Sequence, residues 1–148
     1  AANVTPVNAG YEQALAESGL PLDTGLVTRV PGFDMASGAE GARRLLALKE
    51  PPSAIFAIAD MLALGAMRAI QQAGLRIPGD VALTGFNDIP TAALVEPGLT
   101  TVASPTLQAG REAMKMLQTL ISGQQPMERQ KILPTALIVR ESCGCRRV

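Results

Sequence analysis

Apolar residues recur along this chain in two rhythms, and their alternation lays out the fold. Ala54–Ile58 is apolar without a break between Pro51-Pro52 and Asp60, too short for a helix and suited to a strand buried on both faces. From Met61 to Ala73 the spacing becomes helical, with Met61, Leu64, Met67 and Ile70 on one stripe, Gly74 as the stop and Pro78 as a breaker beyond. Val81–Phe86 is a second short apolar run, closed by Asn87 and Asp88. Strand, helix, strand of this kind predicts two parallel strands joined by a right-handed crossover. In open parallel sheets, ligands occupy the crevice at the carboxyl ends of the strands. Asp60, Asn87 and Asp88 are candidate crevice residues on that pattern alone.

The same reading extends outward. Thr5–Ser18 is an expected amphipathic helix with Val7, Tyr11, Ala14 and Leu15 on one face and Gly19 as its stop. Leu26–Val30 is an expected strand, Pro31-Gly32-Phe33 a turn, and Ser37–Lys49 a helix carrying Ala42, Leu45 and Leu46. Beyond the central stretch, Ile89–Gly98 reads as a short helical turn and loop. Leu99–Val102 is extended and lies between Pro97 and Pro105, a bracket that suits a hinge. Thr106–Ile121 is helical on Leu107, Met114, Leu117 and Ile121, and Lys131–Arg140 is a last strand kept to an edge by Pro134. The whole predicts an α/β chain with a doubly wound, mostly parallel sheet.

Composition narrows the chemistry. The 148 residues fit one domain, and with 3% aromatics and no Trp the core must be packed by Ala, Leu, Ile and Val. Lys plus Arg and Asp plus Glu balance at 13 each, which argues against a chain that grips nucleic acid by itself. There is no His, so a Ser-His-Asp triad and most zinc sites are out of reach. Neither a Gly-x-Ser-x-Gly elbow nor a phosphate-cradling glycine loop occurs, and neither a cofactor nor a metal is expected. No apolar run reaches membrane-spanning length, and Ala1 in place of Met reads as a piece of a longer chain. Cys143 and Cys145 supply only two ligands and stand too close for an easy mutual bridge, so ESCGCRRV reads as an inert or incidentally oxidised tail, against the alternative of a metal or redox site.

Several segments, in order, carry a family likeness: PPSAIFAIADMLALGAMRAIQQAGLRIPGDVALTGFNDI, PGLTTVASP and LPTALIVRES. From Gly10-Tyr11 to Ser142 the chain resembles the C-terminal part of the effector-binding domain of LacI/GalR-family transcriptional regulators. The resemblance implies a periplasmic-binding-protein-like lobe. It assigns residues 1–100 to the C-terminal lobe, 101–128 to a hinge crossover and helix belonging to the other lobe, 129–142 to a return strand and 143–148 to a tail. It implies a cytoplasmic, non-enzymatic repressor that binds a small molecule, a sugar or related polar metabolite, and contacts operator DNA only through a helix-turn-helix that this chain does not contain.

Site roles follow from the same likeness. Phe33 occupies the position of an aromatic that stacks on the ligand, against the alternative that it is core. Asn87 stands where the family commonly has a ligand-binding Asp, against the alternative of an ordinary turn residue. Asp88 is expected to brace that turn and secondarily to meet ligand. Asp60 reads first as the N-cap of the helix from Met61 and secondarily as a ligand contact. Ala59 replaces a frequent Asn, and Val7 replaces a frequent Arg. Those two departures imply an effector less polar than usual, or one anchored mainly by the missing lobe. The Met61–Ala73 helix with Ile89–Val95 would form a homodimer interface, Leu64 and Val95 being its named contacts. A periplasmic-type solute-binding protein and a small α/β hydrolase or transferase are the rival readings.

Overall fold

The structure, a computed structural model, describes residues 5–145, with side chains from residue 9 onward. Its core is built on the second and third helices, which small residues let approach closely. The first helix, α1, spans Thr5–Glu17, and α2 spans Met35–Leu46. Asp34 starts α2 by accepting the Ser37 backbone N–H at 2.7 Å, so the helix opens two residues before the expected Ser37. Strand β1, Ala54–Phe56, leads into α3, Asp60–Gln72, which lies along α2. Gly38 of α2 faces the Leu62 backbone, and Gly65 of α3 faces the Met35 carbonyl; a Cβ at either position would collide with the opposite backbone. Ala39, Ala42, Ala63, Ala66 and Ala69 complete the seam, and Ile70, Leu83 and Leu99 fill the centre of the core. A sequence without Trp thus compensates with close helix approach.

The sheet continues with β2, Ala82–Asn87, then β3, Thr100–Ala103, and β4, Ala136–Ile138, in the order β1-β2-β3-β4. β1, β2 and β3 run parallel and β4 pairs antiparallel with β3, giving the expected parallel-dominant α/β sheet. The loop feeding β2 is closed by Asp80, which accepts from the Arg76 backbone N–H at 2.8 Å and from its guanidinium at 2.9 Å. Hydrogen bonds from the Arg76 side chain, then from its backbone, hold the Asp80 carboxyl down at about 2. Because the folded value is depressed, the clamp's contribution is complete above the ordinary range near 3.8 and is lost as pH falls through about 2. Glu112, also held at about 2 by Lys115 and then Lys131, loses its contribution over an overlapping window that opens at its ordinary value of 4.5. In acid melts followed by circular dichroism, Asp80→Asn is therefore expected to flatten part of the slope between 3.8 and about 2, by lowering stability slightly near neutrality and leaving it little changed at the acid end.

Three expectations need correction. Leu26–Val30 forms no strand. Leu26, Thr28 and Val30 do alternate half-buried with exposed Val27 and Arg29, but no neighbouring strand supplies ladder partners. A 3-10 turn over Thr24–Leu26, capped by Asp23, opens the segment, and Arg44 donates to the Arg29 carbonyl. The last strand is confined to Ala136–Ile138, since Pro134 has no N–H for the ladder. The expected division between residues 100 and 101 falls within β3, which is hydrogen-bonded between β2 and β4 as far as Ala103. Finally, the residue capping α3 is Ala59, in extended conformation and without a side-chain cap bond, and Asp60 is already helical.

α4, Thr106–Ile121, has the expected span but no buried residue, and Leu107, Met114, Leu117, Leu120 and Ile121 are exposed along it. Tyr11 and Leu15 of α1 are half-buried and Ala14 is exposed, while the Val7 side chain lies outside the described residues.

Candidate functional site

One buried carboxylate ties together the carboxyl ends of the parallel strands. Asp60, in the first turn of α3 and just past β1, is 0% exposed. Its Oδ1 accepts from the Thr101 hydroxyl of β3 at 2.6 Å, and its Oδ2 accepts from the Ile89 N–H, two residues past β2, at 2.8 Å. Gly85 of β2 leaves the space that this carboxylate occupies. Asp60 therefore serves neither as the expected cap nor on the exposed rim: its oxygens are turned inward, and it holds the strand ends in register.

Above it the chain turns through two consecutive residues in the left-handed region, Asn87 with φ 114° and Asp88 with φ 54°. Asn and Asp are the non-glycine residues that tolerate this conformation best. The turn leaves Asn87 exposed and brings the Asp88 N–H to 3.4 Å from Thr101 Oγ1. The Asp88 carboxylate accepts from Arg140 Nη2 at 2.7 Å, while Arg140 Nη1 donates to the Leu99 carbonyl at 2.7 Å. Asp88 thus braces the turn in the way its sequence context suggests. Thr101 is the shared point of Asp60 and Asp88.

Phe33 stands in the loop before α2 and is 62% exposed, which rules out a core role for it in this chain. The loop is fixed by Asp34: hydrogen bonds from the Ser37 backbone and then its hydroxyl hold the Asp34 carboxyl below the usual carboxylate range. Ala59 is buried and offers no polar group to the crevice. Leu64, only 5% exposed, is packed within the chain, and half-buried Val95 is the surface member of that pair. Both line a groove of about 320 Å³ with Met35, Met67, Arg68 and Thr91. A second groove, about 570 Å³, follows α4 past Leu107, Gly110 and Met114. Neither groove includes Phe33 or Asn87.

Thr101, Arg140 and Ser142 were not singled out from the sequence. Ser142 is fully buried and stitches β2 to β3: its hydroxyl donates to the Leu83 carbonyl at 2.6 Å and accepts the Thr100 N–H at 2.8 Å. The available signal was the Thr100-Thr101 pair inside an extended apolar context and the Arg-Glu-Ser run at the end of the last strand. Among the described residues no cluster of His, Cys, Asp or Glu is placed to hold a metal ion, and no helix is long and apolar enough to cross a membrane. Phe33 is an exposed aromatic ring and Asn87 an exposed amide, side chains of the kind that can meet a small polar molecule with apolar faces.

Residues 2–143 match the family described as a periplasmic binding protein-like domain. The HTH-type transcriptional repressor CytR of Escherichia coli is 35% identical over 133 residues, which cover 90% of this chain and 39% of CytR. The HTH-type transcriptional regulator CelR of Thermobifida fusca is 37% identical over 133 residues, again 90% of this chain and 39% of the relative. Among solved structures, a LacI-family transcriptional regulator from Sanguibacter keddieii superposes with a TM-score of 0.87 at 41% identity, covering 93% of this chain and 52% of that one. The complex of CelR with cellobiose gives a TM-score of 0.85 at 37% identity over 90% of this chain and 40% of that one. The chain thus spans about two fifths of the length of the curated relatives it matches. With parallel strands whose carboxyl ends are held by Asp60 and Thr101, and with this match, the chain belongs to the periplasmic binding protein-like domain family, and the relatives it is similar to are LacI-type transcriptional regulators.

Proposed function

We propose that this chain is the C-terminal lobe of the effector-binding domain of a LacI-type repressor, and that it contributes one wall of a cleft for a saccharide or related polyol. The observation that carries this reading is the turn after β2: Asn87 is exposed in the left-handed region, the residues that follow it are hydrogen-bonded to the buried Asp60–Thr101 pair, and Phe33 is exposed in the loop before α2. The CelR–cellobiose complex among the similar structures supports a saccharide as the ligand class. Phe33 stacks on an apolar sugar face, and the Asn87 amide both donates to and accepts from hydroxyl groups. Asp60, Thr101, Asp88 and Arg140 position that turn without touching ligand. Ala59, which offers no hydrogen bond here, moves much of the polar recognition to the opposite lobe.

In the full-length protein this lobe pairs in a cytoplasmic homodimer, and operator DNA is contacted by a separate helix-turn-helix. Effector binding changes operator affinity by favouring one arrangement of the lobes. The dimer contact is placed at Val95 and the neighbouring Leu94, which is 81% exposed. Val95→Glu is expected to shift the full-length protein from dimer to monomer in analytical ultracentrifugation; an unchanged dimer would remove this contact from the account.

A thermal-shift panel of saccharides, polyols, nucleobases and small acids on the full-length protein tests the ligand class. A ligand that binds only the native state raises the melting temperature by mass action. The expected pattern is a saccharide or polyol response that is lost in Phe33→Ala and Asn87→Ala, with their ligand-free melting temperatures close to that of the parent. A response confined to nucleobases or acids would overturn the saccharide reading.

A further inference from the structure

We propose that Cys143 and Cys145 form a thiol–disulfide exchange site, with Cys143 as the attacking thiol and Cys145 as the resolving one. Cys-x-Cys spacing alone argues for an inert pair, but the local fold changes that. Gly144 lies in the left-handed region at φ 72°, and its N–H donates to the Glu141 carbonyl at 3.1 Å. This turn folds the chain back so that the Cys145 N–H points at Cys143 Sγ at 3.3 Å. The start of the turn is fixed, because the preceding residue is the buried Ser142 that stitches β2 to β3. Cys143 is partly covered and Cys145 is exposed, so a small disulfide can reach the pair.

The two sulfurs are not equivalent. Burial raises the Cys143 thiol, but hydrogen bonds from the Thr100 side chain, from the Cys145 side chain and from backbone outweigh it and leave Cys143 below the ordinary thiol range. Cys145 is raised, first by its hydrogen bond to Cys143 and then by the charge that Cys143 carries as a thiolate. One sulfur is thereby favoured as nucleophile while the other keeps its proton.

The oxidant is a low-molecular-weight disulfide, RSSR. The Cys143 thiolate attacks one sulfur of RSSR, forming the mixed disulfide Cys143–S–S–R and releasing RS⁻, which takes up a proton. Cys143 then no longer carries a negative charge, and the charge that kept Cys145 protonated is gone. The Cys145 thiolate attacks the Cys143 sulfur, closing the internal disulfide and releasing the second RS⁻. In sum, two protein thiols and one RSSR give one protein disulfide and two RSH. A lower thiol pKa raises the thiolate fraction but lowers its intrinsic nucleophilicity, so the net advantage of Cys143 is about threefold per pKa unit at neutral pH.

Oxidised glutathione and intact-mass spectrometry test this on the whole chain. The parent should lose two hydrogens and retain no glutathione, Cys145→Ser should keep one glutathione on Cys143, and Cys143→Ser should react several-fold more slowly. In urea the difference in rate between the two single variants should disappear, because it comes from the fold. Glutathione retained on both cysteines of the parent, equal rates for the two variants in buffer, or a rate difference that survives unfolding would each overturn the assignment.

Discussion

Asp60→Ala should lower the stability of the chain by about 3–5 kcal/mol, because it strands two buried donors at once and opens a cavity. The Thr101 hydroxyl and the Ile89 N–H both end on this side chain, at 2.6 and 2.8 Å; Asp60 and Thr101 are fully buried and Ile89 half-buried. Each loses its acceptor in the variant, and the turn that carries Asn87 loses its anchor. Asp60→Asn keeps the volume and one acceptor oxygen, but turns an NH2 group toward the other donor. About half the loss should remain in that variant. Urea unfolding followed by circular dichroism reads both values. If Asp60→Ala cost no more than a surface substitution, about 0.5 kcal/mol, Asp60 would not be the brace described above.

Gly65→Ala should be nearly as damaging, costing about 3 kcal/mol, although alanine is the better helix former by about 1 kcal/mol. The new methyl would enter the Met35 carbonyl and the Ala39 N–H of α2, which are backbone and cannot swing aside. α2 and α3 would have to separate along a seam of alanines, each losing contacts with the facing helix. Gly110→Ala in α4 supplies the contrast. A Cβ there meets nothing within 4 Å, so the propensity gain stands alone and the variant should melt slightly higher than the parent. Matched urea titrations of the two variants, moving in opposite directions, would separate helix packing from helix propensity.

These two positions show how far the residues themselves carry the structure. The α2–β1–α3–β2 succession was legible because uninterrupted apolar runs and helical stripes are local patterns, and the span of α4 was read correctly at both ends from its flanking Pro105 and Ser122-Gly123. Leu26–Val30 was misread because alternation was available locally, while a pairing strand is a non-local condition that the sequence stretch does not contain. Asp60 was misread for a related reason. Asp before an apolar helical stripe is a strong cap signal, yet its actual partners lie 29 and 41 residues away. Arg140 reaches Asp88 across 52 positions, a relation that no local pattern announces. Asn87 and Asp88 fall at the carboxyl end of β2, the position that the strand–helix–strand pattern points to without any distant contact.

The account stands or falls on ligand binding at Phe33 and Asn87, and calorimetric titration of the full-length protein measures it directly. Take the saccharide giving the largest thermal shift and titrate it into the parent, Phe33→Ala and Asn87→Ala. A saturable heat with one site per chain is predicted in the parent, with Kd raised about tenfold or more in each variant, the loss expected for one stacking ring or one well-placed amide. Saccharide binding of undiminished affinity in both variants would contradict the account and move the ligand away from the carboxyl ends of these strands.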